Sequence, residues 1–378
     1  MRLLTVGLYL IAIIFCLCSC TKERTNPIPT SPTSRTVIAY LAANNNLSDD
    51  AYTNINQMEE AIGDINGNLI VYTTIRGANP ALYKISADNS PEIKSQKIKE
   101  YLPHNSSDPL VMRQVLEDIK TTYPSQSFGL ILWSHASGWI PPDHGSIKVK
   151  SFGDDNGSSM DIKDLNHALY GEYDFILFDA CSMASIEVLY EIKDKAKYFI
   201  SSPAEVIASG MPYQILTKNL FGENFQAYKE IAQKYYDYYN AKSGLLRSAT
   251  ISVIDAKQLT EFAKTSKQLL STFHSPYQDL KRSEIQRMDF DKITNPLIAF
   301  DLEDFFIQNF GLIHTQQLVQ QLRKTALYKA NTPFFNGYTI KNNGGITCYI
   351  PNSENEGPLH NYYRSLAWYR AGGFDHLF

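Results

Sequence analysis

The chain has 378 residues, of which 44% are hydrophobic, and a formal net charge of -4. That is enough apolar material for one large or two ordinary domains, and it excludes disorder along the whole length. Lys and Arg number 35 against 39 Asp and Glu and form no basic block, so no nucleic-acid partner is expected.

The first twenty residues, MRLLTVGLYLIAIIFCLCSC, set the compartment. One positive residue, Arg2, precedes an apolar stretch too short for a comfortable membrane span. Leu17-Cys18-Ser19-Cys20 then has the form of a bacterial lipobox. Residues 1–19 read as a lipoprotein signal peptide cut before Cys20, whose thiol accepts a lipid. Cys18 is the second candidate, and an ordinary secretory signal cut elsewhere is the alternative. The expected place is the bacterial cell envelope, on the periplasmic or cell-surface face of the outer membrane, with lipid at Cys20 as the membrane attachment. Residues 20–35 are rich in Pro, Ser and Thr, cannot pack a core, and read as a flexible tether. Cys16 and Cys18 leave with the signal, so only Cys181 and Cys348 remain as thiols. No disulfide framework is expected, although an oxidising envelope allows a single bridge between those two.

Beyond the tether, TVIAYLAA predicts a strand, NNNLSDD a polar turn able to cap a helix, and AYTNINQMEEAIGDI an amphipathic helix. NLIVYTTI is a second strand, ALYKIS and residues 93–99 are a hairpin or short edge strands, and PLVMRQVLEDIKTTY is a helix. FGLILW is the third major strand and leads into a long polar loop, ASGWIPPDHGSIKVKSFGDDNGSS. After it come a helix at MDIKDLNHALYG, a strand at YDFILFD, a helix at SIEVLYEIKDKAKY and a strand at YFISSP. AYKEIAQKYYDYYNAK is a further helix and SATISVIDA a further strand; residues 256–330 are largely helical, and GYTIKNNGGITCYIP resembles a hairpin around its Asn-Asn-Gly-Gly turn. Near-continuous apolar strands alternating with helices predict an α/β fold, a mainly parallel sheet covered on both faces. The main domain is placed at 36–255, and a smaller, mainly helical region with a β-hairpin at 256–378.

Two strands end in chemically useful residues. His135 lies just beyond FGLILW, and Cys181 just beyond YDFILFD. Sites in open α/β sheets form outside the carboxyl ends of parallel strands, so neighbouring strands would bring the imidazole and the thiol to one rim. An imidazole can stabilise a thiolate or take its proton as it attacks an acyl carbonyl. The backbone N–H groups of the turn Ala136-Ser137-Gly138 and of Cys181 are candidate oxyanion donors. A helix shortly after Cys181 would add its positive end. Taken singly, either residue also has a bland reading, as a satisfied polar side chain or a small buried hydrophobe.

WSHASGW followed by FDACSM, in a chain with a bacterial signal, resembles the clostripain-like cysteine peptidases, which share the caspase-type fold. The resemblance covers most of the chain after the tether and is strongest from Gly129 to Tyr213. His135 lies 46 residues before Cys181, and a caspase-type histidine lies about 50 before its cysteine. The resemblance implies a caspase-like α/β/α sandwich and a cysteine endopeptidase, with His135 as general base and Cys181 as nucleophile. It also implies cleavage after Arg or Lys, with Asp179 in the first specificity pocket; the other reading of Asp179 is a cap for the following helix. Some relatives carry a second pocket acid where this chain has Ser209, with Glu205 four residues earlier. The family's usual Gly after the histidine is Ala136 here, which makes the loop stiffer. Self-cleavage to a mature form would fall after Lys148 or Lys150.

A peptide or protein is the expected substrate, and no cofactor is expected. Asp154, Asp155 and Asn156 form an acidic turn without EF-hand spacing, which gives a calcium dependence no support. The alternatives are a catalytically silent surface lipoprotein that binds peptides or a partner protein, and a cysteine hydrolase of non-peptide acyl bonds. The oligomeric state is not legible in the sequence.

Overall fold

The computed structural model describes residues 33–141, 151–273, 280–290, 298–351 and 357–377. Cys20, Lys148 and Lys150 lie outside the described residues. In chain order the first elements are β1 (Thr33–Ala43), α1 (Ser48–Ile62), β2 (Gly67–Ile75), β3 (Ala81–Lys84), β4 (Gln96–Glu100) and α2 (Pro109–Thr122). Next come β5 (Ser125–Trp133), the short pair β6 (Phe152–Asp155) and β7 (Ser158–Met160), α3 (Ile162–Ala168), β8 (Tyr173–Asp179) and α4 (Ile186–Glu191). They are followed by β9 (Ala196–Ser201), α5 (Tyr213–Leu216), α6 (Phe225–Asn240), β10 (Thr250–Asp255) and α7 (Leu259–Leu270). The last part holds β11 (Phe300–Asp301), α8 (Leu302–Phe310), α9 (Leu312–Thr325) and β12 (Ala326–Asn331). It closes with β13 (Phe334–Phe335), β14 (Tyr338–Thr339), β15 (Thr347–Cys348), α10 (Pro358–Arg364) and α11 (Ala367–Ala371).

Nine strands form one mixed sheet in the order β12-β10-β9-β8-β5-β1-β2-β3-β4. The middle, β2, β1, β5, β8 and β9, is parallel, and both edges are antiparallel. The apolar runs sort themselves by the two-residue period of a strand. Ile38, Tyr40, Leu130, Leu132, Ile176 and Phe178 face a core shared with α2, α3, α4 and α7. Their neighbours Val37, Ala39, Ile131, Trp133, Phe175 and Leu177 face a second core with α1, α5 and α6. Both faces are therefore covered, which gives the expected α/β/α sandwich.

Three expectations shift. The strand begins at Thr33, inside the stretch placed in the tether, and Arg35 is fully buried. Its Nε donates to Ser127 Oγ at 3.0 Å, and its other nitrogens reach the Gly222 carbonyl and the Asp174 carboxylate. Charge and polarity misled the reading there, because the partners are distant in sequence. Secondly, no separate core begins at Ala256: β12 extends the same sheet, and Phe262, Leu302, Leu318 and Trp368 join the same cluster as Ile38. Thirdly, the Asn-Asn-Gly-Gly segment does not turn a hairpin. Cys348 pairs with Phe300 instead, and the tight hairpin is β13–β14, whose turn residues Asn336 and Gly337 have φ of 47° and 84°. Two positive φ values in a two-residue loop are the requirement of a type I′ turn, for which Asn-Gly is suited.

Removing one partner of a buried ion pair leaves the other charge uncompensated, so Arg35→Ala is expected to destabilise the fold by about 3–5 kcal/mol. Urea unfolding checks this; a loss below about 1 kcal/mol would mean that Arg35 is not holding the sheet to the segment after α5.

Candidate active site

β5 and β8 are parallel neighbours, and Trp133 and Asp179, their last residues, stand opposite each other in the register. The chains therefore leave the sheet level with one another, and Ser134 N donates to Asp179 O at 3.4 Å. Two residues on, His135 and Cys181 both line one cleft of about 290 Å³. Its wall is completed by Leu47, by Glu205 to Ala208 after β9, and by Phe335 and Asn336 of the β13–β14 hairpin.

His135 Nε2 lies 2.8 Å from Asn46 Oδ1, in the loop after β1. Sequence reasoning used that Asn-rich loop only as a helix cap and missed Asn46 as a support for the imidazole. The Cys181 sulfur receives the Val206 N–H at 3.3 Å and lies 3.7 Å from the Val206 carbonyl. The N–H favours the thiolate and the carbonyl the thiol. The helix expected to favour the thiolate is corrected by the structure: α4 has six residues, starts only at Ile186 and is capped by Ser185, whose Oγ accepts Val188 N.

The histidine loop sits on the cysteine loop. Ala136 and Phe152 form an antiparallel bridge through Gly153 N to His135 O at 3.0 Å and Ser137 N to Ser151 O at 3.4 Å. In that pattern Ala136 belongs to a non-hydrogen-bonded pair, so its own N–H points away from Phe152. The conformation that favours glycine is at Gly138, with φ of 68°, while Ala136 has no positive φ. A Cβ at Gly138 would lie 2.9 Å from the Ser182 carbonyl. Ser182 itself has φ of 61°, a costly backbone for a residue with a side chain, and its N–H is held by Ala204 O at 2.8 Å. β6 and β7 brace this arrangement: Asp154 N donates to Ser134 Oγ, and Asp155 accepts from Asn44 Nδ2 and from Ser106. Asp155 is thus used in fixing the loop. Among the described residues no group of three or more His, Cys, Asp or Glu is placed to hold a metal.

Asp179 is buried at the base of the cleft, and its Oδ2 accepts from Met211 N and from Tyr213 OH, each at 2.9 Å. Burial pushes its carboxyl up to about 6, against the two hydrogen bonds. It does not cap α4, which removes one of its two readings. Met211 and Tyr213 were missed as partners, since only the fold brings residues 32 and 34 positions away to the strand end. Glu205 is buried and lines the same cleft, whereas Ser209 is exposed, does not line it, and meets Tyr239 OH at 3.1 Å. No disulfide joins Cys181 and Cys348.

A thiol and an imidazole on the rim of a caspase-like α/β/α sandwich fit a cysteine peptidase. Residues 39–355 match the model of the clostripain family, and the chain belongs to that family. It is 31% identical to an inactive zymogen C11 protease from Parabacteroides distasonis, with a TM-score of 0.78 over 90% of this chain and 99% of that one. A secreted C11 cysteine protease from Bacteroides thetaiotaomicron, solved with an irreversible peptide inhibitor, is 29% identical over 91% of this chain and 100% of that one, with a TM-score of 0.78. A clostripain from the same species, in complex with the peptide inhibitor BTN-VLTK-AOMK, is 29% identical over 57% of this chain and 96% of that one, with a TM-score of 0.51. No curated protein matches the chain.

Small misplacements of reacting groups cost about a hundredfold in rate, so Gly138→Ala, which forces the two loops apart, is expected to lower kcat/KM by about that factor. Ala136→Gly is expected to stay within about threefold, because no positive φ is needed there. Peptidase assays on both variants check the pair; equal rates for Gly138→Ala and the unaltered chain would show that the loops need not touch.

Proposed function

We propose that the chain is a lipid-anchored envelope endopeptidase that cuts after Arg or Lys, with Cys181 as nucleophile and His135 as general base. The Cys181 sulfur attacks the scissile carbonyl carbon while His135 takes the thiol proton. The carbonyl oxygen becomes an oxyanion that the N–H groups of Ala136 and Cys181 receive. The C–N bond then breaks as His135 returns the proton to the leaving amine, and water hydrolyses the thioester that remains on Cys181.

The observation that carries the specificity is the buried Asp179 carboxylate at the base of the cleft that Cys181 lines. A cationic side chain reaching it would find an acceptor with few competing waters, and Glu205 adds a second acid to the same wall. Ser209 contributes to the outer support through Tyr239. The relative bound by BTN-VLTK-AOMK accepts a peptide whose last residue is Lys, which supports the same preference. The relative described as an inactive zymogen supports activation by cleavage after Lys148 or Lys150. The lipobox at Cys20 and the relative described as secreted support anchoring outside the cytoplasm. No cofactor is assigned to any step.

Fluorogenic peptides ending in Arg, Lys, Gln or Asp test this reading, with Cys181→Ala as the control that must be silent. Arg is expected to exceed Gln in kcat/KM by about a hundredfold at pH 8. Asp179 carries its charge above its raised pKa of about 6, so the Arg-to-Gln ratio is expected to hold above that pH and shrink below it. Taking the ratio cancels the titration of Cys181 and His135. Asp179→Asn should bring the ratio within about threefold at every pH; a ratio that survives in that variant would remove Asp179 from the pocket. In protein extracted from its own membrane, mass spectrometry should find diacylated Cys20 and a cut after Lys148 or Lys150, and an intact unmodified chain would contradict both.

A further inference from the structure

The rim of the cleft carries an apolar surface that the chemistry at Cys181 does not use. Phe335 and Asn336 line the cleft, while their neighbours in the same hairpin, Phe334 and Tyr338, are 52% and 45% exposed. Beside the hairpin, the turn Gly244–Leu246 holds out Leu245 and Leu246, 66% and 58% exposed. These four are among only eleven large hydrophobic residues exposed among the described residues. Tyr338 pairs with Phe335 and shares its face of the hairpin, whereas Phe334 lies on the other face, so Tyr338 and the leucines of the turn are the exposed apolar groups beside the cleft wall.

The surface is built firmly. Asn336 N donates to Ser248 Oγ at 2.8 Å, and the Ser248 hydroxyl donates to Leu245 O at 2.8 Å, so one buried serine ties the hairpin tip to the turn. Thr332 Oγ1 accepts Ala249 N at 3.0 Å and donates to Phe334 O at 2.7 Å. From below, Phe290 stacks on Phe335 and Tyr338, with ring centroids 5.2 and 6.1 Å apart. Leu245 Cδ2 comes within 4.0 Å of the place a Gly337 side chain would take. A rigid support of this kind is what a side-chain pocket needs, since little order has to be created on binding.

We infer that the β13–β14 hairpin and the turn Gly244–Leu246 form a subsite for an apolar side chain of the polypeptide held across the Cys181 cleft. The inference rests on the reading of that cleft as the peptide-binding site. Continuity decides the occupant: Phe335 and Asn336 belong to the cleft wall and to the hairpin alike, so a peptide lying along that wall passes Tyr338, which shares the face of Phe335. Chemistry decides the residue type. The exposed apolar side chains beside that wall are Tyr338, Leu245 and Leu246, a surface that gains by covering Leu, Ile or Phe. Asp179 and this rim then select different residues of one substrate, a cation and an apolar group.

A randomised octapeptide library, digested by the full chain and read by mass spectrometry, gives the residue preference at every position around the cut. Leu, Ile or Phe is expected to be enriched by about fivefold over Asp or Ser at one position within four residues of the cut. The exposed-site double variant Tyr338→Ser/Leu245→Ser should flatten that enrichment to within about twofold, with no change in the preference directly before the cut. Leu245→Ser alone, which leaves the hairpin intact, should give an intermediate value. No apolar enrichment in the unaltered chain, or enrichment that persists in the double variant, would overturn the inference. Failure of the Asp179 reading is distinct, because it shows as a missing Arg or Lys preference at the cut itself.

Discussion

The site depends on the parallel register of β5 and β8, which sets Trp133 opposite Asp179. One residue of slip would invert the strand that moves, sending Ile131 or Leu177 to the wrong core and separating the two loops that follow. The register is held because each strand buries alternate residues in two different cores, leaving neither face free to move. Burial of each large apolar side chain stabilises the pairing by about 1.5–3 kcal/mol, so the core secures where His135 and Cys181 leave the sheet.

The loops then refine what the strands begin. Gly138 lies against Ser182, whose unfavourable backbone is held by Ala204, and Val206 offers its N–H to the sulfur. Asp179 closes one strand and forms the base of the cleft, while Met211 and Tyr213 keep it oriented. In the proposed mechanism these loops keep the thiol and the carboxylate apart, one facing backbone donors and the other a cation. The same cleft wall runs on into the hairpin at Asn336, so in the proposed reading a buried charge and an exposed apolar rim share the selection of the substrate.

The central strands and the two candidate residues at their ends were legible in the sequence, because uninterrupted apolar runs are short-range signals. Asn46, Val206 and Tyr213 were not, since each acts through a partner brought near only by the fold. Arg35 misled for the same reason: a charged residue in a polar stretch reads as solvated until Asp174 and Gly222 are placed around it. The hairpin was assigned to the wrong glycines. Asn336-Gly337 is the stronger turn signal, and the Gly-Gly pair serves elsewhere, with Gly344 N donating to Asp301 Oδ2 at 2.5 Å. Ala136 has no positive φ, so its backbone does not call for the family's usual glycine; the position that does lies two residues later, at Gly138.

The central claim is that His135 and Cys181 act as a pair. The pH dependence of Cys181 alkylation by iodoacetamide, followed by peptide mass spectrometry, tests it directly in the unaltered chain and in His135→Ala. At pH 6 the unaltered chain is expected to be labelled at least about tenfold faster than the variant, the imidazole taking the thiol proton as the sulfur attacks. Superimposable profiles would contradict it.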